Sequence, residues 1–432
     1  MTAEAVPSGR LTRIATQAVR ALVLVVVAAT PLIVDPRGRD LFRVPKLAFF
    51  QTGMLLAAAI AGAAALLSDT FAASLGRHRR PVILACAAVA WVAIASMAST
   101  LPAVSHSAPF SVFCNAVLFV LALTVLRTER ELTALGALLL PAIANAVIIV
   151  LQARDLWAPL GIFVEGSDRF GNIGLIGNAN TAGTYLVIPT LAALAATMTL
   201  QRWRLLFGAV SAVLLTGLFL TQTITVMFGF GVALVAFAVT GSKRIRLLAI
   251  AVVAIGIVGV MAYGPTRERL MTLKDPLLRG EFGKATSNRV PAAVATLDMF
   301  LDRPFFGQGP GVFASRYMQY RMAVDERHPQ WVELTHETFG EAHNDHAQVL
   351  AETGVPGYVL LVVLLLSVAV LTLRRPPQDD ERARFVAAFA LPAAAGFAGL
   401  ALGQFPIWLT AASTSCVYAA ALCFAWRPDA TR

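Results

Sequence analysis

The chain has 432 residues, of which 57% are hydrophobic and only 14% are charged, and its formal net charge is +10. Soluble globular proteins are about half apolar and about a quarter charged, so this composition excludes an ordinary soluble fold. Apolar runs long enough to cross ~30 Å of hydrocarbon recur along most of the chain, which predicts an all-α polytopic membrane protein.

Twelve apolar runs separated by polar breaks are the candidate membrane spans. In chain order they cover roughly 17–34, 47–67, 81–99, 107–126, 132–152, 181–200, 205–220, 224–240, 247–263, 355–373, 385–403 and 407–426. The first run is followed by a charged loop without a small-residue cleavage pattern, so we expect it to be retained as a span.

Basic residues alternate between successive breaks. The even-numbered breaks carry clusters such as GRHRR (76–80) and SKRIR (242–246), whereas the breaks near 100–106, 221–225 and 403–406 carry no Lys or Arg. Because cytoplasmic loops are enriched in Lys and Arg, this alternation predicts twelve spans with both termini in the cytoplasm. The net positive charge is then explained by the orientation of the spans in the membrane, and we do not interpret it as evidence of nucleic-acid binding.

Three breaks on the predicted outer face are unusually polar: residues 35–46, the loop at 153–180, and a large loop from about 264 to 353. The large loop contains the segment SNRVPAAVATLDMFLDRPFFGQGPGVF (287–313), which predicts an amphipathic helix and then a Pro-Gly turn. Its apolar positions at helical spacing are Val290, Ala293, Val294, Leu297 and Phe300. Pro304 should end the helix. The glycines that follow could bind a phosphate, but a tight turn is the favoured interpretation.

The stretch EAHNDHAQVLAETGVPGY (341–358) follows, with His343 about twelve residues before the tenth predicted span. A neutral imidazole at the outer membrane–water boundary could remove a proton from a substrate hydroxyl, since its ordinary pKa is ~6.5. Two alternatives stay open. His343 and His346 could be ordinary interfacial polar residues, or they could form a metal site with Asp345 or Glu341.

A family resemblance rests on this stretch. His343-Asn344, nine further residues, and then Gly354-Val355-Pro356-Gly357 resemble the His-[Asn/Ser/Gln]-x9-Gly-x-x-Gly signature of the O-antigen ligase family. That family is similar in architecture to O-antigen polymerases and protein O-oligosaccharyltransferases. Other segments resemble the family in the same order: DLFRVPK (40–46), DRFGNIGLIGNANTAGTYL (168–186) and NRVPAAVATLDMFLDRPFFGQGPGVF (288–313).

The resemblance implies a glycosyltransferase that uses neither a metal nor a nucleotide cofactor. It would transfer a preassembled glycan from polyprenyl (undecaprenyl) diphosphate to lipid A–core oligosaccharide, or to another hydroxyl acceptor, at the periplasmic face of a bacterial inner membrane. Residues 1–263 would form spans 1–9 within the lipid bilayer, and residues 264–354 would form a periplasmic catalytic loop. Residues 355–432 would form spans 10–12 and a cytoplasmic tail.

The resemblance also implies roles for particular residues. His343 would be the base or the group that orients the acceptor, and Arg289 would stabilise the diphosphate leaving group. Further candidates for substrate binding are Arg169, Asn178, Asn180, Lys46, Arg43, Asn344 and His346. For the basic residues among them, an ordinary surface or snorkelling role is an equal alternative.

One position departs from the family pattern. Family members usually carry Ser-Arg where this chain has Thr223-Ile224, within TQTITVMFGFG (221–231). Because the missing arginine is often a second leaving-group contact, either another cation supplies the charge or the activity is altered.

Four hypotheses follow: an O-antigen ligase, a polymerase of the same superfamily, a protein O-oligosaccharyltransferase with a pilin-like acceptor, and, from a different class, a transporter. The histidine signature favours the ligase. Transporters typically place ionisable residues or broken helices at the membrane midplane, whereas the polar groups of this chain crowd the outer face.

Overall fold

The computed structural model describes residues 8–67, 78–157, 171–240, 243–262, 267–268, 271–272, 274–332, 339–373 and 379–427. Within these ranges the chain is helical and contains no strand. The α-helices are α1 (Ser8–Ala29), α2 (Arg43–Leu67), α3 (Arg79–Met97), α4 (Pro102–Ser105), α5 (Ala108–Leu126), α6 (Glu131–Gln152), α7 (Ala179–Thr199), α8 (Arg204–Leu220), α9 (Ile224–Thr240), α10 (Lys243–Ala262), α11 (Lys274–Leu278), α12 (Phe282–Ala285), α13 (Arg289–Asp302), α14 (Phe313–Arg327), α15 (Asp345–Ala369), α16 (Glu381–Leu400) and α17 (Thr410–Ala425).

The described residues include nine helical segments that are long and apolar enough to cross a membrane. Two shorter apolar helices, Ile224–Val239 and Thr410–Ala425, and helix α10 coincide with the other three predicted spans. Every predicted span therefore falls on a helix, and the predicted all-α class is confirmed for the described residues. These helices indicate a multi-pass membrane protein, while the count of twelve spans and their orientation stay predictions.

Helices α7 and α16 form the centre of the bundle. Of the 18 most apolar consecutive residues of α7, 83% are buried inside the protein, against 17% for the corresponding residues of the span that contains α15. Both central helices are rich in Ala and Gly, and small residues allow the backbones of membrane helices to approach closely. At the crossing of α9 and α16, for example, a Cβ built on Gly399 would lie 3.1 Å from the Cα of Gly229.

Helices α11 to α14 belong to the large predicted loop and lie outside the candidate spans. Helix α13 packs against α14 and along α15. The contact has an apolar core of its own, formed by Ala292, Ala295, Met299, Phe313, Tyr317, Val324, Phe339, Ala342 and Ala351. This core fixes the start of α13 relative to the start of α15, and the start of each helix carries a predicted site residue.

The amphipathic helix of this loop is confirmed, and α13 ends at Asp302 as Pro304 predicts. The apolar positions named from the sequence are, however, not its buried face. The buried residues are Pro291, Ala292, Ala295, Thr296 and Met299. Leu297 is 47% exposed. The alanines are buried because their small side chains let α14 and α15 come close, and periodicity alone does not reveal that preference.

The helix of the tenth predicted span begins ten residues before the predicted opening at Val355. Asn344 caps α15, since its side chain accepts a hydrogen bond from the backbone N–H of Ala347 at 3.0 Å. Gly354 then breaks the helical geometry, with φ 68° and ψ −173°. Glycine tolerates this left-handed φ, and Pro356 fits the first turn of the segment that resumes. The prediction of where this helix starts is therefore wrong.

Candidate functional site

His343 lies between two aromatic rings directly before α15. Its ring centroid is 5.1 Å from that of Phe339 and 4.8 Å from that of Phe405, and both rings meet it nearly edge to face. Its backbone φ is 51°, in the left-handed region that non-glycine residues seldom adopt. In the part of the chain that the structure describes, its buried Nδ1 has no hydrogen-bond partner. Packing against the two rings therefore holds the imidazole.

Two arginines act electrostatically on this imidazole. Burial lowers the pKa of His343 from 6.5 to about 4, and the positive charges of Arg289 and Arg43 add to that shift. The imidazole is therefore neutral at pH 7. The fold brings together three predicted site residues that are far apart in the sequence.

Arg43 begins α2 at the edge of this site. The helix starts here because Asp40 Oδ1 accepts hydrogen bonds from the backbone N–H groups of Phe42 (3.0 Å) and Arg43 (2.7 Å). The guanidinium group pairs with Glu341 and lies 5.9 Å from the centre of the Phe405 ring. The Arg43 side chain is 50% exposed, so its charge is accessible to a ligand.

Arg289 is the first residue of α13, and the residue before it fixes that start. Asn288 adopts a left-handed φ of 61° and is buried. Its Oδ1 accepts a hydrogen bond from Arg321 Nη2 at 3.2 Å, and Asp325 Oδ1 accepts one from Arg321 Nε at 2.8 Å. The buried Arg321 therefore stabilises the start of α13, the helix that carries Arg289. Nothing in the sequence pattern distinguished it from the other arginines of the loop.

Asn344 and His346 make contacts that position α15. Besides the cap by Asn344, His346 Nε2 lies 3.0 Å from the carbonyl oxygen of Ala398, and its Nδ1 lies 3.3 Å from the hydroxyl of Tyr358. Of these contacts, the one with Ala398 joins the start of α15 to α16, and the others lie within α15. The substrate-binding roles of Asn344 and His346 stay predictions.

Lys46 is buried in α2 and is 3% exposed. Its Nζ donates to the carbonyl oxygens of Ile33 and Leu175, each at 2.7 Å. These bonds tie α2 to the segments that precede α2 and α7. Its predicted contact with a phosphate is untested, and the observed bonds are those of an internal cross-link. Arg169 lies outside the described residues.

Asn178 and Asn180 lie at the start of α7, and Asn180 contacts Thr223, one of the two positions at which this chain departs from the family pattern. Asn178 caps α7 by accepting from the N–H of Asn180 at 2.7 Å. Asn180 Oδ1 accepts from the hydroxyl of Thr223 at 3.0 Å. Nearby, Thr225 Oγ1 accepts from Gln404 Nε2 at 2.5 Å. We call Asn180, Thr223, Thr225 and Gln404 the uncharged cluster: they form two hydrogen-bonded pairs of neutral side chains, one on each side of Ile224 in the sequence, where the family pattern has an arginine.

Two acidic residues of α15 are buried: Asp345, which the sequence analysis named only as a possible metal ligand, and Glu352, which it did not name. The segment between α16 and α17 was given no role either. Asp345 Oδ2 accepts from the N–H of Ile407 at 2.8 Å, and Glu352 Oε1 accepts from the N–H of Phe313 at 2.9 Å. Both residues are about 1% exposed or less. Only their acidic residue type, ahead of the long apolar run that begins at Val355, could have drawn attention to them. Phe405 looks like an ordinary apolar residue in the sequence.

The glycine-rich turn after α13 packs against α15. Gln308 N donates to the carbonyl oxygen of Ala351 at 2.8 Å, and Gly309 N donates to that of Glu352 at 3.1 Å. The tight-turn interpretation is therefore confirmed, since these N–H groups already have partners within the protein. Across the described ranges, no group of three or more His, Cys, Asp or Glu side chains is placed to hold a metal ion.

The helical fold and this site define a multi-pass membrane protein with a neutral histidine beside two arginines. The model of the family described as O-antigen ligase matches residues 209–362, a range that contains Arg289, His343 and the Thr223-Ile224 departure. The match confirms the resemblance to the O-antigen ligase family, and the family implies a glycosyltransferase-like enzyme. A comparison with curated proteins gives no match.

Proposed function

We propose that the protein is an inner-membrane glycosyltransferase of the O-antigen ligase type. It transfers a preassembled glycan from polyprenyl diphosphate to lipid A–core oligosaccharide at the periplasmic face of a bacterial inner membrane, without a metal or nucleotide cofactor. One observation carries the proposal: the neutral imidazole of His343 lies within the electrostatic reach of both Arg43 and Arg289. A transfer from a diphosphate requires that pairing of a proton acceptor with cations.

In the proposed reaction, the acceptor hydroxyl attacks C1 of the donor sugar. A new C1–O bond forms while the bond from C1 to the diphosphate oxygen breaks. His343 orients the hydroxyl and accepts its proton, and the leaving polyprenyl diphosphate keeps the bonding electron pair. Arg289 and Arg43 stabilise the negative charge that develops there.

Arg43 also accounts for the departure at Ile224. The family pattern places a second leaving-group cation there, and this chain has none at that position. Arg43 supplies a second guanidinium beside His343, on an exposed side chain at the start of α2. We therefore assign to Arg43 the charge that the missing arginine would provide.

The donor itself would make His343 a better base. A pKa of about 4 suits a neutral acceptor, but it also makes the imidazole a weak base. The two arginine charges contribute to that low value, and a bound diphosphate would neutralise them. The pKa of His343 should then rise by the part that the two arginines contribute, while burial, the larger cause, keeps it below its ordinary value, so the imidazole becomes a stronger base when the donor is in place.

The test uses purified protein in lipid nanodiscs with a polyprenyl-diphosphate-linked oligosaccharide, lipid A–core and a chelator. His343→Ala is compared with His328→Ala, whose ring stacks on Trp331 at 3.9 Å between centroids. We expect glycan on lipid A–core with the wild type and the control variant, and a loss of at least about a hundredfold in His343→Ala, as for removal of a general base.

Other outcomes contradict particular parts of the proposal. Longer glycans on the polyprenyl lipid would identify a polymerase, and glycan on a pilin-like peptide would identify a protein O-oligosaccharyltransferase. Transfer that the chelator abolishes would contradict metal independence. No transfer to any acceptor, together with movement of the lipid-linked glycan across proteoliposomes, would favour a transporter.

A further inference from the structure

A carboxyl group without a role in the proposed reaction lies buried two residues after His343. The side chain of Asp345 is fully buried. Its Oδ2 accepts a hydrogen bond from the backbone N–H of Ile407 at 2.8 Å, while its own backbone N–H donates to the carbonyl oxygen of Ala401 at 2.8 Å. Burial of a polar carboxyl group is unfavourable unless hydrogen bonds compensate, and among the described residues only one of its two oxygens has a partner. Asp345 therefore lowers the stability of the fold relative to an apolar residue of similar size.

The two bonds of Asp345 bracket the segment that joins α16 to α17. Phe405 lies between the bonded residues Ala401 and Ile407 and is 7% exposed. Its ring meets the His343 imidazole at 84°, with 4.8 Å between centroids. The guanidinium of Arg43 lies 5.9 Å from the centre of the same ring. Phe405 thus contacts two of the three groups of the proposed site.

Asp345 does not form a histidine–carboxylate pair with His343. Among the described residues, His343 Nδ1 and Asp345 Oδ1 both have no hydrogen-bond partner. The contact from Asp345 to the imidazole therefore runs through Phe405. This arrangement matters because His343 has a left-handed backbone, and such a conformation persists only where the surrounding structure enforces it.

We propose that Asp345 is a positioning residue, whose carboxyl group holds the segment 401–409 so that Phe405 packs on the His343 imidazole. The inference rests on the proposed function only in giving His343 the role of the reacting group. The packing of Phe405 on His343 does not depend on which acceptor the enzyme uses. Without the Asp345–Ile407 bond, the segment would relax and the imidazole would lose one of its two aromatic neighbours.

A double-mutant cycle tests the route through Phe405. The variants are Asp345→Ala, Phe405→Ala and the double variant, together with Asp345→Asn, which keeps an acceptor oxygen for the N–H of Ile407. Asp380→Ala is the matched control, because Asp380 also stands at a helix start and accepts from Ala383 N at 3.0 Å. Thermal melting and size-exclusion profiles establish that each variant is folded.

The first readout is the rate at which diethyl pyrocarbonate modifies His343, followed by peptide mass spectrometry. We expect a clear acceleration in Asp345→Ala and Phe405→Ala, little change in Asp345→Asn, and none in Asp380→Ala. If Asp345 acts through Phe405, the double variant modifies no faster than the faster single variant. Unchanged reactivity in Asp345→Ala, or effects that multiply in the double variant, would overturn the proposal.

The second readout is transfer activity. Asp345→Ala should lower kcat about tenfold, because small misplacements of a reacting group are costly, and should leave the donor KM within about twofold. Asp345→Asn should recover most of kcat. A loss that appears equally in kcat and in thermal stability would indicate a merely structural residue. If the wild type transfers no glycan, the proposed function fails, while the modification rates still test the role of Asp345.

Discussion

Adjacent residues of the segment between α16 and α17 face two regions of different chemistry. Phe405 packs on His343, beside Arg43. Gln404 belongs to the uncharged cluster and donates a hydrogen bond to Thr225. The family pattern expects an arginine in the second region, yet the structure concentrates cations around His343. Under the proposed function, the second leaving-group cation therefore comes from α2, which carries Arg43 near the same imidazole.

The two regions differ in exposure and in charge. The Arg43 side chain is half exposed, so its charge keeps part of its hydration. Thr223 is 2% exposed and Gln404 is fully buried. A charged group at either of these two buried positions would lose its hydration, which is unfavourable. Their neutral side chains avoid that cost, while Ile224 beside Thr223 is only half-buried.

The largest expected effect is at Arg289. Arg289→Gln removes a cation from the leaving group, and we expect kcat/KM for glycan transfer to fall about 10²- to 10³-fold, as for loss of one transition-state donor. Arg279→Gln is the control, because Arg279 is an exposed arginine of the same loop. A loss no larger than that of the control would remove Arg289 from the reaction.

The next effect concerns the pH dependence that the charged region creates. Arg43→Gln removes a positive charge that helps to lower the pKa of His343, so this pKa should rise above 4 towards 6.5. The acid limb of kcat/KM, which reports the free enzyme, should move to higher pH. NMR of labelled histidine and the pH–rate profile measure the shift. Arg327→Gln should leave both unchanged, and a fall in the pKa would contradict the electrostatic argument.

A smaller effect is expected at Glu341, the counter-ion of Arg43. Glu341→Gln should lower the donor KM by about two- to fivefold, because the diphosphate no longer competes with a carboxylate and exposed ion pairs are worth about 0.2–1 kcal/mol. Asp298→Asn breaks the comparable pair between Asp298 and Arg327 and serves as the control. An increase in KM would mean that Glu341 orients Arg43 towards the donor.

The smallest effect is expected in the uncharged cluster. Thr223→Val removes the bond to Asn180, so the free energy of unfolding should fall by about 1 kcal/mol, with the donor KM within about twofold. Thermal melting and donor kinetics check this, with Thr216→Val as the control, since the Thr216 hydroxyl bonds only within its own helix, to Ala212 O at 2.9 Å. A KM increase above about fivefold would instead assign the cluster to donor binding.

Local signals in the sequence predicted the helices and the residues that border them. The end of α13 before Pro304 followed from proline stereochemistry, and each predicted span coincides with a helix because apolar length is a local property. The buried face of α13 was not predictable in the same way. Alanines rather than Leu297 are buried, since close contact with α14 and α15 favours small side chains.

The site shows the same division. The histidine motif and its family resemblance identified His343 and Arg289 as candidates, and the family match covers both. Their proximity to each other and to Arg43 depends on contacts between segments that are distant in the chain. The different positions of Arg43 and Lys46 follow from tertiary packing too, because both are basic residues at the start of α2. Arg43 faces the site, whereas Lys46 bonds to two carbonyl groups inside the protein.

The sequence by itself determined the membrane class, the helices and the resemblance to the O-antigen ligase family, because hydrophobic length, periodicity and short motifs are read along the chain. The tertiary structure decided which cations face His343, that Phe405 packs on its ring, and that neutral side chains occupy the region of Thr223. These outcomes depend on close packing between remote helices and on whether each charge keeps its hydration. Neither is encoded in a local pattern.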